Sequence, residues 1–296
     1  MPELPEVETV RRGLARLVVG KQIASVSVYE SPKSFPNSPE DVEQFVRGAT
    51  ITAVNRRAKV LLVSLSSDYM FVIHLKMTGQ LVYVGKERFG AGHPNDSLIG
   101  VLPDRSTRVS IHFSDDTTLF FNDQRKFGWV KLYPTIEVPN IDFMQKVGPE
   151  PLEDDFTAAV MAGRLRHRNN TTIKAALLDQ SVIAGVGNIY ADESLWGAKI
   201  HPATRVRDVS DAQLAVLHDE LVSVLALSIE KGGSTNHTYV NAEGQRGSYM
   251  DFARVFRRDE LACPRHPDVL IEKLRVAGRG THICPVCQVL PTATLR

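Results

Sequence analysis

All three cysteines of this 296-residue chain fall in one terminal stretch. Cys263-Pro-Arg-His266 is followed, after seventeen residues, by Cys284-Pro-Val-Cys287. A two-residue gap lets both donors of a pair reach one ion from a single tight turn, and thiolate and neutral imidazole are both good zinc donors. The spacing predicts a tetrahedral zinc site on Cys263, His266, Cys284 and Cys287, with His282 as the competing fourth donor. Four protein donors leave no open position for chemistry, so such an ion is structural. The alternative is three buried free cysteines beside an incidental histidine.

A different chemistry is available at the other end. Pro2 is a small second residue, of the kind that normally allows removal of the initiator methionine, which would expose a secondary amine. An α-amine titrates at about 7.7–8.0, so much of it is nucleophilic near neutral pH. A secondary amine attacks an aldehyde carbon to give an iminium directly. Glu3 and Glu6 stand beside it as proton donors or acceptors. The bland alternative is that Pro2, Pro5 and these acids only begin a helix. Further along, Gly185-Val-Gly187-Asn188 separates two helical segments, with Asn188 as a natural cap and Lys174 upstream. A helix N-terminus beside positive charge is an anion site. In Arg275-Val-Ala-Gly-Arg279-Gly, two glycines flank Arg279 and let a turn push one guanidinium outward, toward a phosphate or simply toward solvent.

Rigid elements must hold these groups. Leu4, Val7, Val10, Leu14 and Leu17 recur at helical spacing, so residues 4–18 read as an amphipathic helix. From about residue 22 to 132 the pattern changes to short strands, in IASVSVYE, ATITAVNRRAKVLLVSL, YMFVIHLKM, STRVSIHFS and TTLFFND. Such strands, broken by turn residues, predict a β-sandwich or barrel. Residues 86–106 read as a long loop, and the acids and prolines of 137–155 as a linker. Helical patterns lie near 156–164, 171–180, 188–197 and 210–231, and 251–296 is short strands and turns. The fold class is α+β, divided at 1–133, a linker 134–150, 151–250 and 251–296.

Composition narrows the class. Apolar residues make up 43% and charged residues 23%, which excludes disordered and collagen-like chains. No run of 18 apolar residues occurs, so no membrane span is expected. The opening residues lack the order of a secretory signal, and three cysteines suit a reducing cytoplasm better than a disulfide framework. Net charge is +1, but from Phe156 to Leu178 there is no acid, only Arg164, Arg166, His167, Arg168 and Lys174 as charged or titratable groups. No Ser/His/Asp or catalytic-metal spacing points to a small-molecule hydrolase.

The ordered motifs resemble a known family. MPELPEVETVRRGL, NRRAKVLLVSL, HLKMTGQL, NDQRKFG, GPEPL, TIKAALLDQSVIAGVGNIYADESLW, GGST, YVNAEGQ and VAGRGTHICPVCQ together look like bacterial formamidopyrimidine-DNA glycosylases, across essentially the whole chain. The endonuclease VIII group is also similar, but the Leu4-Pro5 pair and the RKFG run look more like the purine enzymes. The resemblance implies an N-terminal β-sandwich with a leading helix, a helix–two-turn–helix domain, and a zinc-finger β-hairpin. It implies a monomer that binds duplex DNA holding an oxidised base, uses no organic cofactor, excises the base and nicks the strand by β- and δ-elimination. Carried over, Pro2 is the nucleophile, Glu3 the proton donor, Lys59 the residue for β-elimination and Arg279 that for δ-elimination. His74, Lys174 and Asn188 hold backbone phosphates. Met77, Arg125 and Phe127 fill the gap left by the everted base, and a loop within 233–250 closes over it. Three positions depart from the family pattern: His266 replaces a cysteine, Ser106 a histidine and Asn169 a basic residue. Two other readings stand beside this one, an oxidised-pyrimidine glycosylase of the endonuclease VIII type and a lesion-binding protein without catalysis.

Overall fold

The computed structural model describes residues 2–29, 31–93, 95–234 and 248–291. The chain forms two compact units, Met1–Gln145 with Lys231–Met250, and Lys146–Glu230 with Asp251–Arg296. The expected block 151–250 is therefore divided at residue 231. One reason is local: the Ser234 N–H donates to Glu6 Oε1 at 2.8 Å, tying that segment to the first helix.

In the first unit, α1 (Leu4–Val18) is followed by β1 (Ile23–Val28), a short helix α2 (Pro39–Phe45), and the strands β2 (Ile51–Arg57), β3 (Val60–Leu65), β4 (Tyr69–His74), β5 (Gly79–Val84), β6 (Arg88–Gly92), β7 (Thr107–Phe113), β8 (Thr118–Asp123) and β9 (Trp129–Pro134). They build two antiparallel sheets, ordered β1-β7-β8-β5-β6 and β2-β3-β4-β9. The sandwich core joins Val7, Val10 and Leu14 of α1 to Ile51, Val63, Phe71, Ile73, Leu81 and Phe121. Gly13 lets α1 approach β6, since a Cβ there would lie 2.4 Å from the Phe89 ring. The α1 boundaries agree with the apolar spacing, because that spacing encodes the buried stripe directly.

Three segments differ from the sequence reading. Residues 86–106 hold edge strand β6 and a 3-10 turn at Asp96–Leu98 rather than one loop. Helix α2 lays only the partly buried Val42 and Phe45 on the core, too short an apolar period to announce it; Ser38, accepting from the Asp41 N–H, marks its start. The expected linker 134–150 is ordered over most of its length, as a 3-10 helix Thr135–Asn140 and α3 (Asp142–Lys146). Val138, Ile141, Phe143 and Met144 pack on Val60, Met70 and Val72, a contact that the surrounding acids and prolines conceal.

The second unit contains α4 (Ala158–Arg166), α5 (Ile173–Leu178), α6 (Asn188–Gly197), α7 (Asp211–Glu230) and two hairpins, β10 (Ala262–Cys263) with β11 (His266–Leu270) and β12 (Glu272–Val276) with β13 (Arg279–Ile283). Helix α6 is buried from Tyr190 to Gly197 and forms its axis. Helix α7 is long and apolar enough to cross a membrane by length and composition, but Leu214, Leu217, Leu221 and Leu225 are buried and it packs on α4 and α6.

Candidate active site

Glu3, only 5% exposed, is the N-cap of α1, and Pro2 stands immediately before it. The Glu3 N–H donates to Glu6 Oε2 at 2.8 Å, so Glu6 holds the backbone beside Pro2 with one oxygen and Ser234 with the other. Lys59 lies in the two-residue turn between β2 and β3, not on a strand as the sequence suggested, and is buried. Ala58 in that turn has a φ of 52°, a left-handed conformation that a non-glycine residue keeps only when its surroundings hold it. One such support is the Arg56 guanidinium, which donates to the Ala58 carbonyl at 2.8 Å and to Glu8 of α1 at 3.4 Å. Burial opposes the charge on Glu8, but bonds from Arg11 and Arg12 outweigh it and hold its pKa below the usual carboxylate value. The turn bearing Lys59 is thus clamped to the helix that begins beside Pro2. Sequence reasoning missed this clamp; only the spacing of Glu8 to Arg11 and Arg12 hinted at it.

His74 pairs with Val60 across β3–β4, next to Lys59. It is buried against Trp129 and Phe143, with ring centroids 5.8 and 6.0 Å away. Burial first, then the charges of Lys76 and Lys59, push its pKa down to about 3. Its Nδ1 accepts from the Lys76 N–H at 3.1 Å, which leaves a neutral ring with Nε2 as the donor.

Met77 and Phe127 are exposed by 37% and 54%, although either would serve as a core residue. They sit on the β4–β5 and β8–β9 turns, which meet where the Arg125 N–H donates to Thr78 Oγ1 at 3.2 Å. The Arg125 guanidinium lies 4.9 Å from the Phe127 ring centre.

In the second unit four expectations are corrected. Asn188 is the first residue of α6 and Gly187 its N-cap, so Asn188 is not the cap. Its Nδ2 instead donates to the Gly280 carbonyl at 3.0 Å. Lys174 is not presented to a phosphate: it is fully buried, paired to equally buried Asp192 at 2.6 Å, and donates to Thr281 Oγ1 at 2.7 Å and the Gly280 carbonyl at 3.2 Å. The acid-free stretch is likewise engaged internally, with Arg166 on the Val206 and Val209 carbonyls and Arg168 on Asp179. Arg279 is exposed as expected, but the bend is made by Ala277 and Gly278, at φ values of 52° and 73°. Arg279 itself opens β13, paired with Val276.

The donor atoms of Cys263, His266, Cys284 and Cys287 all lie within 4.8 Å of one another. Cys287 Sγ is 3.2 Å from His266 Nδ1 and 3.8 Å from Cys263 Sγ. A tetrahedron with zinc–sulfur bonds of 2.3 Å has edges of about 3.8 Å, so the four groups are spaced for such an ion. Burial and the neighbouring sulfurs push Cys287 up to about 12, whereas Cys263 is held down at about 6, where bonds from the Arg265 and His266 N–H groups outweigh burial. His282 is not the fourth donor: its Nδ1 faces Asp192 Oδ2 at 3.3 Å. The cluster docks on α6 through Trp196, Val255 and Ile271, and Arg265 donates to the Trp196 carbonyl at 2.8 Å.

The N-terminal domain profile of formamidopyrimidine-DNA glycosylases matches residues 1–130, and their helix–two-turn–helix domain profile matches 147–240. The formamidopyrimidine-DNA glycosylase of Streptococcus pneumoniae R6 is 39% identical over 289 residues, 97% of this chain and 99% of that protein. That of Pediococcus pentosaceus is 41% identical over 291 residues, 98% of this chain and all of that protein. The chain belongs to the formamidopyrimidine-DNA glycosylase family. A complex of the Lactococcus lactis family member with DNA containing an abasic site superimposes with a TM-score of 0.84 at 34% identity, covering 97% of this chain and 99% of that one. A MutM complex with DNA containing carbocyclic 8-oxo-G gives 0.84 at 33% identity, covering 97% and 100%. Against the formamidopyrimidine-DNA glycosylase motifs, Ser106 does not replace the histidine in kind: it is 2% exposed and bonded to Asp104 at 2.7 Å. His266, in contrast, offers its Nδ1 where the family pattern has a cysteine sulfur.

Proposed function

We propose that this chain is a bifunctional DNA glycosylase and AP lyase that everts and excises oxidised purines from duplex DNA. The observation that carries the reading is Pro2 at the head of α1, beside a buried acid, Glu3, and in the same unit as Lys59 and neutral His74. With Met1 removed, the Pro2 nitrogen lone pair attacks the sugar C1′. The glycosidic bond breaks, its electron pair leaves with the base, and the base takes up a proton. Glu3 donates a proton to the ring oxygen as the C1′–O4′ bond opens, leaving an iminium at Pro2. Loss of a C2′ proton then expels the 3′ phosphate, with Lys59 assisting. Loss of a further sugar proton expels the 5′ phosphate, with Arg279 assisting. His74, as a neutral N–H donor, and Asn188 are assigned to backbone phosphates, and Met77, Arg125 and Phe127 to the gap in the stack. Residues 235–247, where the capping loop is expected, lie outside the described residues. A cytoplasmic monomer belongs to the same proposal: three cysteines suit a reducing compartment, and the family resemblance implies the monomer.

The test is borohydride trapping on a duplex with one 8-oxoguanine opposite cytosine, alongside a dihydrothymine duplex. An adduct mapped to Pro2 and stronger on the purine duplex is the expected result. Preferential trapping of dihydrothymine would move the chain to the endonuclease VIII type. No adduct from protein whose Met1 is verifiably absent would leave a lesion-binding protein.

Two further outcomes follow from the same geometry. Arg125→Ala should lower the preference for cytosine opposite the lesion, since an arginine facing the orphaned base reads its edge; excision compared across the four opposing bases measures it, and an unaltered ranking counts against the role. Cys263, His266, Cys284 and Cys287 would hold one structural zinc ion, which would draw the two hairpins together. Chelation is expected to weaken DNA binding while the β-sandwich stays folded. Metal content, affinity and near-ultraviolet circular dichroism, followed together, decide it, and unchanged affinity after verified metal loss would sink the assignment.

A further inference from the structure

Asp123 ends β8 and has no exposed surface. Its carboxylate lies under two turns that are distant in sequence. Oδ1 accepts the Thr78 hydroxyl of the β4–β5 turn and the Arg125 N–H of the β8–β9 turn, the latter at 3.2 Å. Oδ2 accepts the Gly128 N–H at 2.6 Å, at the far end of the second turn. The Asp123 carbonyl is engaged as well, by Nε of buried Arg108 at 2.8 Å. Gly128 leaves room for this arrangement, because a Cβ there would come within 3.1 Å of Asp123 Oδ2 and 3.0 Å of the His74 carbonyl.

We infer that Asp123 is the positioning residue that holds Met77, Arg125 and Phe127 together as one wedge. The inference rests on the proposed role of those three side chains. Neither turn is shaped by its own residues alone. Lys76 has a φ of 50° and Lys126 a φ of 58°, left-handed conformations that lysine does not prefer. Such a backbone persists when its surroundings over-determine it. Side chains entering a base stack meet resistance from the bases they part, so two loosely held turns would yield where a braced pair does not. A carboxylate suits the bracing because it only accepts, and three donors converge on it. Bonds to an ionised acceptor are also shorter and stronger than neutral ones. An amide of the same size would have to present its NH2 either to Thr78 and Arg125 or to Gly128, placing donor against donor on one of the two turns.

Asp123→Asn and Thr78→Val test this. The wedge serves eversion of a base, and an abasic site has no base to evert. The decisive quantity is therefore the ratio of 8-oxoguanine excision to abasic-site cleavage, which a general loss of folded protein would not move. Asp123→Asn is expected to lower that ratio on the order of tenfold, the loss of one charged hydrogen bond, and to flatten the preference for the opposing base. Thr78→Val should shift both in the same direction by less. A 2-aminopurine placed next to the lesion should report weaker stack opening in both variants. If Asp123→Asn fails to fold, Thr78→Val alone decides. Ratio and base preference equal to the parent's in a folded variant would overturn the inference. A parent protein without a Pro2 adduct would instead overturn the proposed function, so the two failures are distinguishable.

Discussion

Glu3→Gln is expected to lower excision of the damaged base by about 10²- to 10⁴-fold, the usual contribution of a positioned general acid. Glu3 is buried at the head of α1, next to Pro2, the proposed nucleophile. Glutamine keeps its volume, and the Glu3 N–H bond to Glu6 belongs to the backbone and survives. Ring opening must then proceed without a proton placed at the departing ring oxygen, while the contacts to DNA elsewhere are untouched. Single-turnover excision should therefore collapse with duplex affinity near that of the parent. A rate within a few-fold of the parent would remove Glu3 from the proton-donor role. Loss of affinity in step with rate would show that it contributes binding instead.

Lys174→Met should destabilise the protein by about 3–5 kcal/mol, the usual cost of removing one partner of a buried ion pair. The Asp192 carboxylate stays behind with no exposure, facing only the His282 ring at 3.3 Å and its N–H at 3.0 Å. The same change removes the donor to Thr281 and one of two donors to the Gly280 carbonyl, so the hairpin end next to Arg279 loses its tie to α5 and keeps only its bonds to α6. Urea unfolding should show a lower midpoint, and the second strand-cleavage step should slow more than base excision. Lys174→Met combined with Asp192→Asn should recover part of the stability, because the stranded charge is then gone. A loss under about 1 kcal/mol would be that of a surface pair and would contradict the buried one.

The difference between these two residues marks what was legible. Glu3 needed only its place in the chain: beside Pro2 and at the start of an apolar helical period, its neighbourhood is set by residues a few positions away. The boundaries of α1 and the spacing of the cysteine pairs are local in the same sense. Lys174, read from its own segment, was a cation beside a glycine turn. Its burial depends on Gly280 and Thr281, more than a hundred positions later, which close over it. The departure at His266 was visible, but its choice over His282 was not: Asp192 holds the His282 ring, and Asp192 is nowhere near it in sequence. The stretch 134–150 does join the two units, whose boundary falls between Gln145 and Lys146, but its order was not legible, since its apolar residues face a sheet whose strands lie elsewhere.

By itself, the sequence determined the chemical inventory of this protein: a nucleophile-capable second residue, an adjacent acid, three thiols with an imidazole at ligand spacing, and the α+β order of elements. These follow from residue identity and short-range periodicity, while the resemblance to the family rested on the ordered motifs from MPELPEVETVRRGL to VAGRGTHICPVCQ. The tertiary structure decided which charged groups are spent inside the protein and which are offered to a partner. It buried Lys174 and Ser106, left Met77, Phe127 and Arg279 exposed, and set Asp123 beneath two turns at once. Desolvation and hydrogen-bond partnership depend on what the rest of the chain brings alongside, and no local pattern encodes that.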